Sequence, residues 1–209
     1  MTLHLAQSPA DLEPSEKHRA LLFDWDGTLA DSQLVNFKAI DGALAAAGLS
    51  IEKHWFEART GVSTREMVAM LSVLQGIPVD VNAVAAHRDD AYLERVGEVG
   101  EVALVATVLR REHGSRATAL ATGGGARTVL ATADSLGLRG FFDALVTRED
   151  VEEGKPAPDI FLRAASLLGA PAEACLVYED SDEGIAAART AGMDVIDVRP
   201  LRRLNSASQ

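Results

Sequence analysis

The stretch "ALLFDWDGTLADS", residues 20–32, decides how this chain is read. Its first four residues, Ala20, Leu21, Leu22 and Phe23, form a continuous apolar run of the kind that fills a strand buried on both faces. The run stops at two carboxylates, Asp24 and Asp26, with Trp25 between them and Gly27 after them. Residues two apart on an extended segment share a face, so the acids project together. Trp25 is expected to point away from them, into packing beneath. A pair of acids is unfavourable inside a core and useful at the rim of a sheet, where Gly27 permits a tight turn.

Working outward, four further runs read as strands: "ATALAT" (117–122), "DALVTR" (143–148), "ACLVYED" (174–180) and "DVIDV" (194–198). Helical patterns separate them over 102–113, 126–136, 158–168 and 182–191. Apolar strands alternating with helices predict an α/β fold, a Rossmann-like parallel sheet core flanked by helices. The interval from Leu34 to Val96 breaks this rhythm because it holds no convincing strand. Leu34, Phe37, Ile40, Leu44 and Ala47 mark one amphipathic helix there, and Met67, Met70, Leu71 and Leu74 another. "GLS" (48–50) and "QGIP" (75–78) read as breaks. The chain returns at the glycine-punctuated "ERVGEVGE" (94–101). The expected organisation is a core from 17–33 and 97–203, an inserted α-helical cap over 34–96 that can open and close over a site, and loose termini at 1–16 and 204–209.

Composition narrows the partners. A formal charge of -11 over 209 residues repels nucleic acid and anionic membranes. It permits a small anionic metabolite only where local cations or a metal offset it. The single cysteine, Cys175, rules out an internal disulfide framework and reads as a buried thiol in a reducing cytoplasm. No stretch reaches membrane-spanning length. A monomer is expected, since a cap shields the site without a partner.

In open parallel sheets, ligands bind beyond the carboxyl ends of the strands. Those ends carry Asp24 and Asp26; Thr122 with Gly123, Gly124 and Gly125; Lys155 in "EEGKPAPD"; and Glu179 with Asp180. Carboxylates gathered this closely raise one another's pKa unless a cation intervenes, and an all-oxygen donor set favours Mg2+ over zinc. Taken alone, an acidic cluster can also be a solvated rim. Lys155, with Gly154 and Pro156 fixing its backbone, suits a phosphate oxygen. Thr122 and the glycine amides at the start of the next helix suit the same ligand, although the triplet is neither a P-loop nor G-x-G-x-x-G. The set fits phosphoryl transfer. The five histidines are scattered and no serine–histidine–acid set is visible, so the nucleophile is expected to be a carboxylate.

The pieces "DWDGTLADS", "LATGG", "GKPAPD" and "EDSDEGIAAARTAGMDVIDV", in that order, resemble the haloacid dehalogenase-like hydrolases. The nearest subgroup in pattern is the β-phosphoglucomutase-like sugar-phosphate phosphatases, and the tail "AGMDVIDVRP" is similar to that of bacterial fructose-1-phosphate phosphatases. The resemblance implies roles. Asp24 attacks phosphorus. Asp26 protonates the leaving alcohol and then activates water. Asp24, the backbone carbonyl of Asp26, Glu179 and Asp180 hold Mg2+. Thr122, Gly123 and Lys155 bind the phosphoryl group, and "TGVSTRE" (60–66) is similar to the family's specificity loop, with Arg65 contacting substrate. The sugar mutases of the subgroup carry a histidine where this chain has Asn36 and tend to lack Thr28, which weighs against a phosphomutase. Asp26 weighs against a dehalogenase. A receiver-like signalling domain would lack the D-x-D pair and the helical insert.

Overall fold

The structure, a computed structural model, describes residues 1–59 and 62–201. In chain order the strands are β1 (Leu3–Leu5), β2 (Ala20–Phe23), β3 (Ala30–Asp31), β4 (Gly100–Glu101), β5 (Ala117–Ala121), β6 (Ala144–Val146), β7 (Cys175–Glu179) and β8 (Asp194–Asp197). The helices are α1 (Gln33–Ala46), α2 (Lys53–Glu57), α3 (Thr64–Gln75), α4 (Val81–Leu93), α5 (Ala103–Glu112), α6 (Ala126–Ser135), α7 (Asp159–Leu168) and α8 (Asp182–Thr190). Six strands form one parallel sheet in the order β1-β8-β7-β2-β5-β6.

β2 lies inside the sheet because its side chains are apolar on both faces. Leu21 and Phe23 enter one core, with Leu176 and Tyr178 of β7 and Leu120 of β5. Ala20 and Leu22 enter the other, with Cys175 and Val177 of β7 and Ala119 and Ala121 of β5. Each fully buried leucine or phenylalanine here contributes roughly 1.5–3 kcal/mol. Phe23 stacks on Tyr178 at 4.7 Å between ring centroids. Trp25 continues the first face into the same core and is 1% exposed. It therefore points away from the acids, as its place in the alternation requires.

Helices α1 to α4 carry a third core of their own: Ile40, Ala43, Leu44, Leu49, Ile51, Met67, Val68, Leu71 and Val84. The chain leaves and re-enters the sheet domain through β3 and β4, which pair antiparallel as Ala30↔Glu101 and Asp31↔Gly100. The faces of the inserted helices differ from the sequence reading. On α1 the buried residues are Val35, Asn36, Ala39, Ile40, Ala43 and Leu44, while Leu34 is exposed. On α3 they are Met67, Val68 and Leu71, while Met70 and Leu74 are exposed. α4 packs against both α1 and α3, and the foreseen Ile40, Leu44, Met67 and Leu71 are buried while the outlying members of each stripe are not.

The reading of residues 1–16 as a loose leader is corrected. Leu3–Leu5 adds a parallel edge strand to β8, with Leu3 opposite Val195 and Leu5 opposite Asp197. Its anchor is Asp194, a buried carboxylate that accepts from Thr2 N–H and His18 Nε2 and pairs with Lys17. Burial works against that charge, but the hydrogen bonds from Lys17, His18 and Thr2 outweigh it and hold the Asp194 carboxyl below the usual range. Residues 204–209 lie outside the described residues. No helix among the described residues is long and apolar enough to cross a membrane.

Candidate active site

The site begins where β2 ends. Asp24 N–H still bonds to Tyr178 O at 3.0 Å, which fixes the residue to the sheet rim. The chain then turns sharply. Gly27, at φ 87°, adopts a left-handed conformation that a side chain would strain. The amides of Thr28, Leu29 and Ala30 all converge on Trp25 O. Asp24 and Asp26 are thereby held on a short, internally bonded loop.

Lys155 crosses from the loop after β6 and is buried between two carboxylates. Its Nζ lies 2.6 Å from Asp24 Oδ1 and 2.7 Å from Glu179 Oε2. Glu179, at the end of β7, is fixed from its other oxygen: Oε1 accepts from Asp180 N–H at 3.0 Å, Ser181 N–H at 2.9 Å and Ser181 Oγ at 2.7 Å. Asp180 accepts from Thr28 Oγ1 at 3.4 Å. Oxygens of Asp24, Glu179 and Asp180 come within 4.8 Å of one another, and all three residues are buried.

Asp26 is held differently. Its Oδ1 accepts from Ser32 Oγ and from Asn36 Nδ2 at 3.0 Å. Asn36 Oδ1 in turn accepts from Arg88 of α4. The Asp26 side chain is not part of the oxygen trio of Asp24, Glu179 and Asp180.

The electrostatics follow from burial. Desolvation, with the Glu179 charge second, pushes the Asp24 carboxyl up to about 7 against the opposing pull of Lys155. Burial disfavours the Lys155 charge, but Asp24 and Glu179 outweigh it and hold its pKa above the ordinary lysine value. Three buried carboxylates face one ammonium. The donors are all oxygen and carry excess negative charge, so the residues fit a hard divalent cation such as Mg2+.

A cavity of about 210 Å³ opens over this cluster, and Asp24, Asp26, Thr122, Gly123, Lys155, Arg65, Glu179 and Asp180 all line it. Every site residue expected from the sequence is thus brought to one cavity. The loop after β5 differs in detail from the expectation. Thr122 Oγ1 accepts from Gly124 N–H at 3.0 Å, so one of the glycine amides foreseen for an anion is engaged within the protein, and Glu149 accepts from the neighbouring Ala126 N–H at 3.1 Å. Arg65 Nε donates to Asn82 Oδ1 at 3.1 Å from the exposed end of α3. Thr60 and Gly61 of the specificity-loop stretch lie outside the described residues.

Sequence reasoning missed Arg59, Arg88, Arg148 and Glu149 as cavity neighbours, and gave Ser32 and Asn36 no bond to Asp26. Ser32 was detectable only as a residue that reads as an N-terminal cap, whereas its hydroxyl makes no cap bond and goes to Asp26. Arg88 was not, because only the packing of α4 on α1 brings it to Asn36.

The family model for haloacid dehalogenase-like hydrolases matches residues 18–192. The fructose-1-phosphate phosphatase YqaB of Escherichia coli is 36% identical over 186 residues, covering 89% of this chain and 99% of that protein. The phosphorylated carbohydrates phosphatase of Thermotoga maritima is 28% identical, covering 85% and 83%. Among solved structures, CbbY from Rhodobacter sphaeroides in complex with phosphate superposes with a TM-score of 0.79 at 25% identity, covering 87% of this chain and 86% of that one. The chain belongs to the haloacid dehalogenase-like hydrolases.

Proposed function

We propose that this protein is a magnesium-dependent phosphatase that hydrolyses a small phosphomonoester, a sugar phosphate, through an aspartyl-phosphate on Asp24. The observation that carries the reading is Lys155, buried between Asp24 and Glu179 at the floor of a polar cavity. An ammonium fixed beside the attacking carboxylate is placed to neutralise phosphoryl oxygens as charge builds on them. Likeness to the E. coli and T. maritima phosphatases supports the substrate class.

In the first step an oxygen of Asp24 attacks phosphorus and the P–O bond to the alcohol breaks. Asp26 gives its proton to the departing oxygen. In the second step Asp26 takes a proton from water, which attacks the aspartyl-phosphate, releasing phosphate and regenerating Asp24. Ser32 and Asn36 hold one oxygen of Asp26, leaving the other toward Gly124 for proton transfer. Thr122, Gly123 and Lys155 seat the phosphoryl group. Asp24, the Asp26 carbonyl, Glu179 and Asp180 would hold Mg2+; the ion would supply charge neutralisation at the phosphate and make the crowded carboxylates compatible.

Residues 17–33 and 97–203 act as the catalytic core, joined by the β1 arm, and 34–96 as a mobile cap that brings Arg59, Arg65 and Arg88 over the cavity. We place the enzyme in the cytoplasm, as a monomer acting on a small phosphorylated metabolite. The phosphomutase alternative has less support, since Asn36 is committed to Asp26 and Arg88. Phosphate release from a panel of sugar and organic-acid phosphates tests the proposal. Turnover should require Mg2+, stop in EDTA and vanish in Asp24→Asn. Equal release by wild type and variant, or turnover indifferent to EDTA, would reject it.

A further inference from the structure

We propose that Gly184 is a positioning residue: its missing side chain forms the cradle that seats Glu179, and through Glu179 it fixes Lys155. The catalytic part of this claim rests on the phosphatase reading above; the structural part does not.

Gly184 is the third residue of α8, whose N-terminal cap is Ser181. Ser181 Oγ accepts from Gly184 N–H at 3.0 Å. In the usual Ser-x-x-Glu capping box, the glutamate at that third position reaches back to accept the N–H of the cap residue. Here the cap N–H goes instead to Glu179 Oε1 at 2.9 Å. Glu179 stands two residues before the cap and enters the helix end from the sheet side. It occupies the space a side chain at position 184 would fill. A Cβ on Gly184 would lie 2.1 Å from both Cδ and Oε2 of Glu179, and 2.6 Å from Oε1. Those are the same oxygens that hold the Asp180 and Ser181 amides and Lys155. Glu179 is 1% exposed, so it cannot swing aside into water without leaving its site.

The backbone does not require glycine. Gly184 sits within α8 and is not among the left-handed glycines. Alanine is the better helix former, so helix propensity alone predicts a gain from Gly184→Ala. The cradle predicts a loss, and the two accounts differ in sign.

A double-mutant cycle separates them, using Gly184→Ala, Glu179→Asp and both together. Shortening Glu179 by one carbon removes the clash. Gly184→Ala alone should lower kcat/KM for phosphate release about 10–100-fold, the usual cost of losing a residue that orients a catalytic group. In the Glu179→Asp background the same substitution should cost less than about twofold, because the coupling is lost with the contact. Acetylation of Lys155 by acetic anhydride, followed by mass spectrometry on metal-free protein, gives a second reading independent of turnover. Lys155 should be protected in wild type and severalfold more reactive in Gly184→Ala, with no further rise from Gly184→Ala once Glu179 is aspartate. Equal losses in both backgrounds, or Lys155 still protected in Gly184→Ala, would overturn the proposal. If Gly184→Ala does not fold, a folded double variant supports the cradle and an unfolded one refutes it. If no variant, wild type included, releases phosphate, the phosphatase reading has failed and the acetylation cycle alone decides the role of Gly184.

Discussion

Replacing Asp24 by asparagine should abolish turnover and, in the absence of metal, make the protein more stable. Burial and the Glu179 charge move the Asp24 carboxyl from its ordinary value of 3.8 up to about 7. The native state therefore keeps a proton that the unfolded chain releases above pH 4. Wild-type stability should fall as pH rises from about 4 to about 7, because over that window the native state binds more protons. The shift is about three pKa units, or about 4 kcal/mol at neutral pH. Asparagine has the same shape, remains neutral, and can still accept from Lys155 where Asp24 Oδ1 does at 2.6 Å. It should recover most of that energy, a rise in Tm of about 10 °C for a chain of this size.

The assay is denaturant unfolding of wild type and Asp24→Asn in EDTA between pH 4 and pH 8. The stability gap should be near zero at pH 4, widen to pH 7 and level off above it. Added Mg2+ should stabilise wild type more than the variant and narrow the gap, since an ion that binds the native state raises its stability. An asparagine variant less stable than wild type at pH 7, or a gap that ignores pH, would refute the claim that Asp24 is held in an unfavourable charged state.

Two further outcomes follow from the hydrogen-bond pattern. Arg88→Met should leave KM within about twofold but lower kcat about 10–100-fold, because Arg88 acts on Asp26 through Asn36; a change in KM alone, seen in steady-state kinetics, would instead make Arg88 a substrate contact. Asp194→Ala should cost about 1–3 kcal/mol at pH 7, because the buried His18 Nε2 loses its acceptor while the exposed Lys17 stays solvated, and should raise amide exchange at Leu3–Leu5. Because the native Asp194 pKa is depressed, its contribution is fully present above about pH 4 and is lost as pH falls below that; unchanged stability in chemical melts would show that β1 is anchored by other contacts.

The central strands were legible because each satisfies two cores at once. A run such as Ala20 to Phe23, apolar at both parities, has few places to go except the middle of a covered sheet. The edge strand β1 had no such signal. It is three residues long, exposed on each, and held through Thr2 by a carboxylate 192 positions away in the chain. The inserted helices were legible as helices but not in rotation. Their apolar residues exceed what one neighbour can cover, so the choice between Leu34 and Val35 is made by α4 and not by the local pattern.

The chemistry was legible for a related reason. Asp24, Asp26, Thr122, Glu179 and Asp180 each stand where an apolar run stops, Lys155 lies in the loop that follows one, and parallel strands deliver all of these to one rim. What the sequence concealed is how these groups are held. Lys155 reaches Asp24 across 131 positions, and Arg88 reaches Asn36 across 52. One restraint was nevertheless local. In "EDSDEG", residues 179–184, a serine cap is followed at its third position by glycine where a glutamate would close the capping box. The glutamate that takes over that bond is the one two residues before the serine. The displacement moves a carboxylate from the solvent side of a helix end to the buried side, within reach of Lys155. A local exchange of glutamate for glycine on the helix thus decides where the charge of the active site sits.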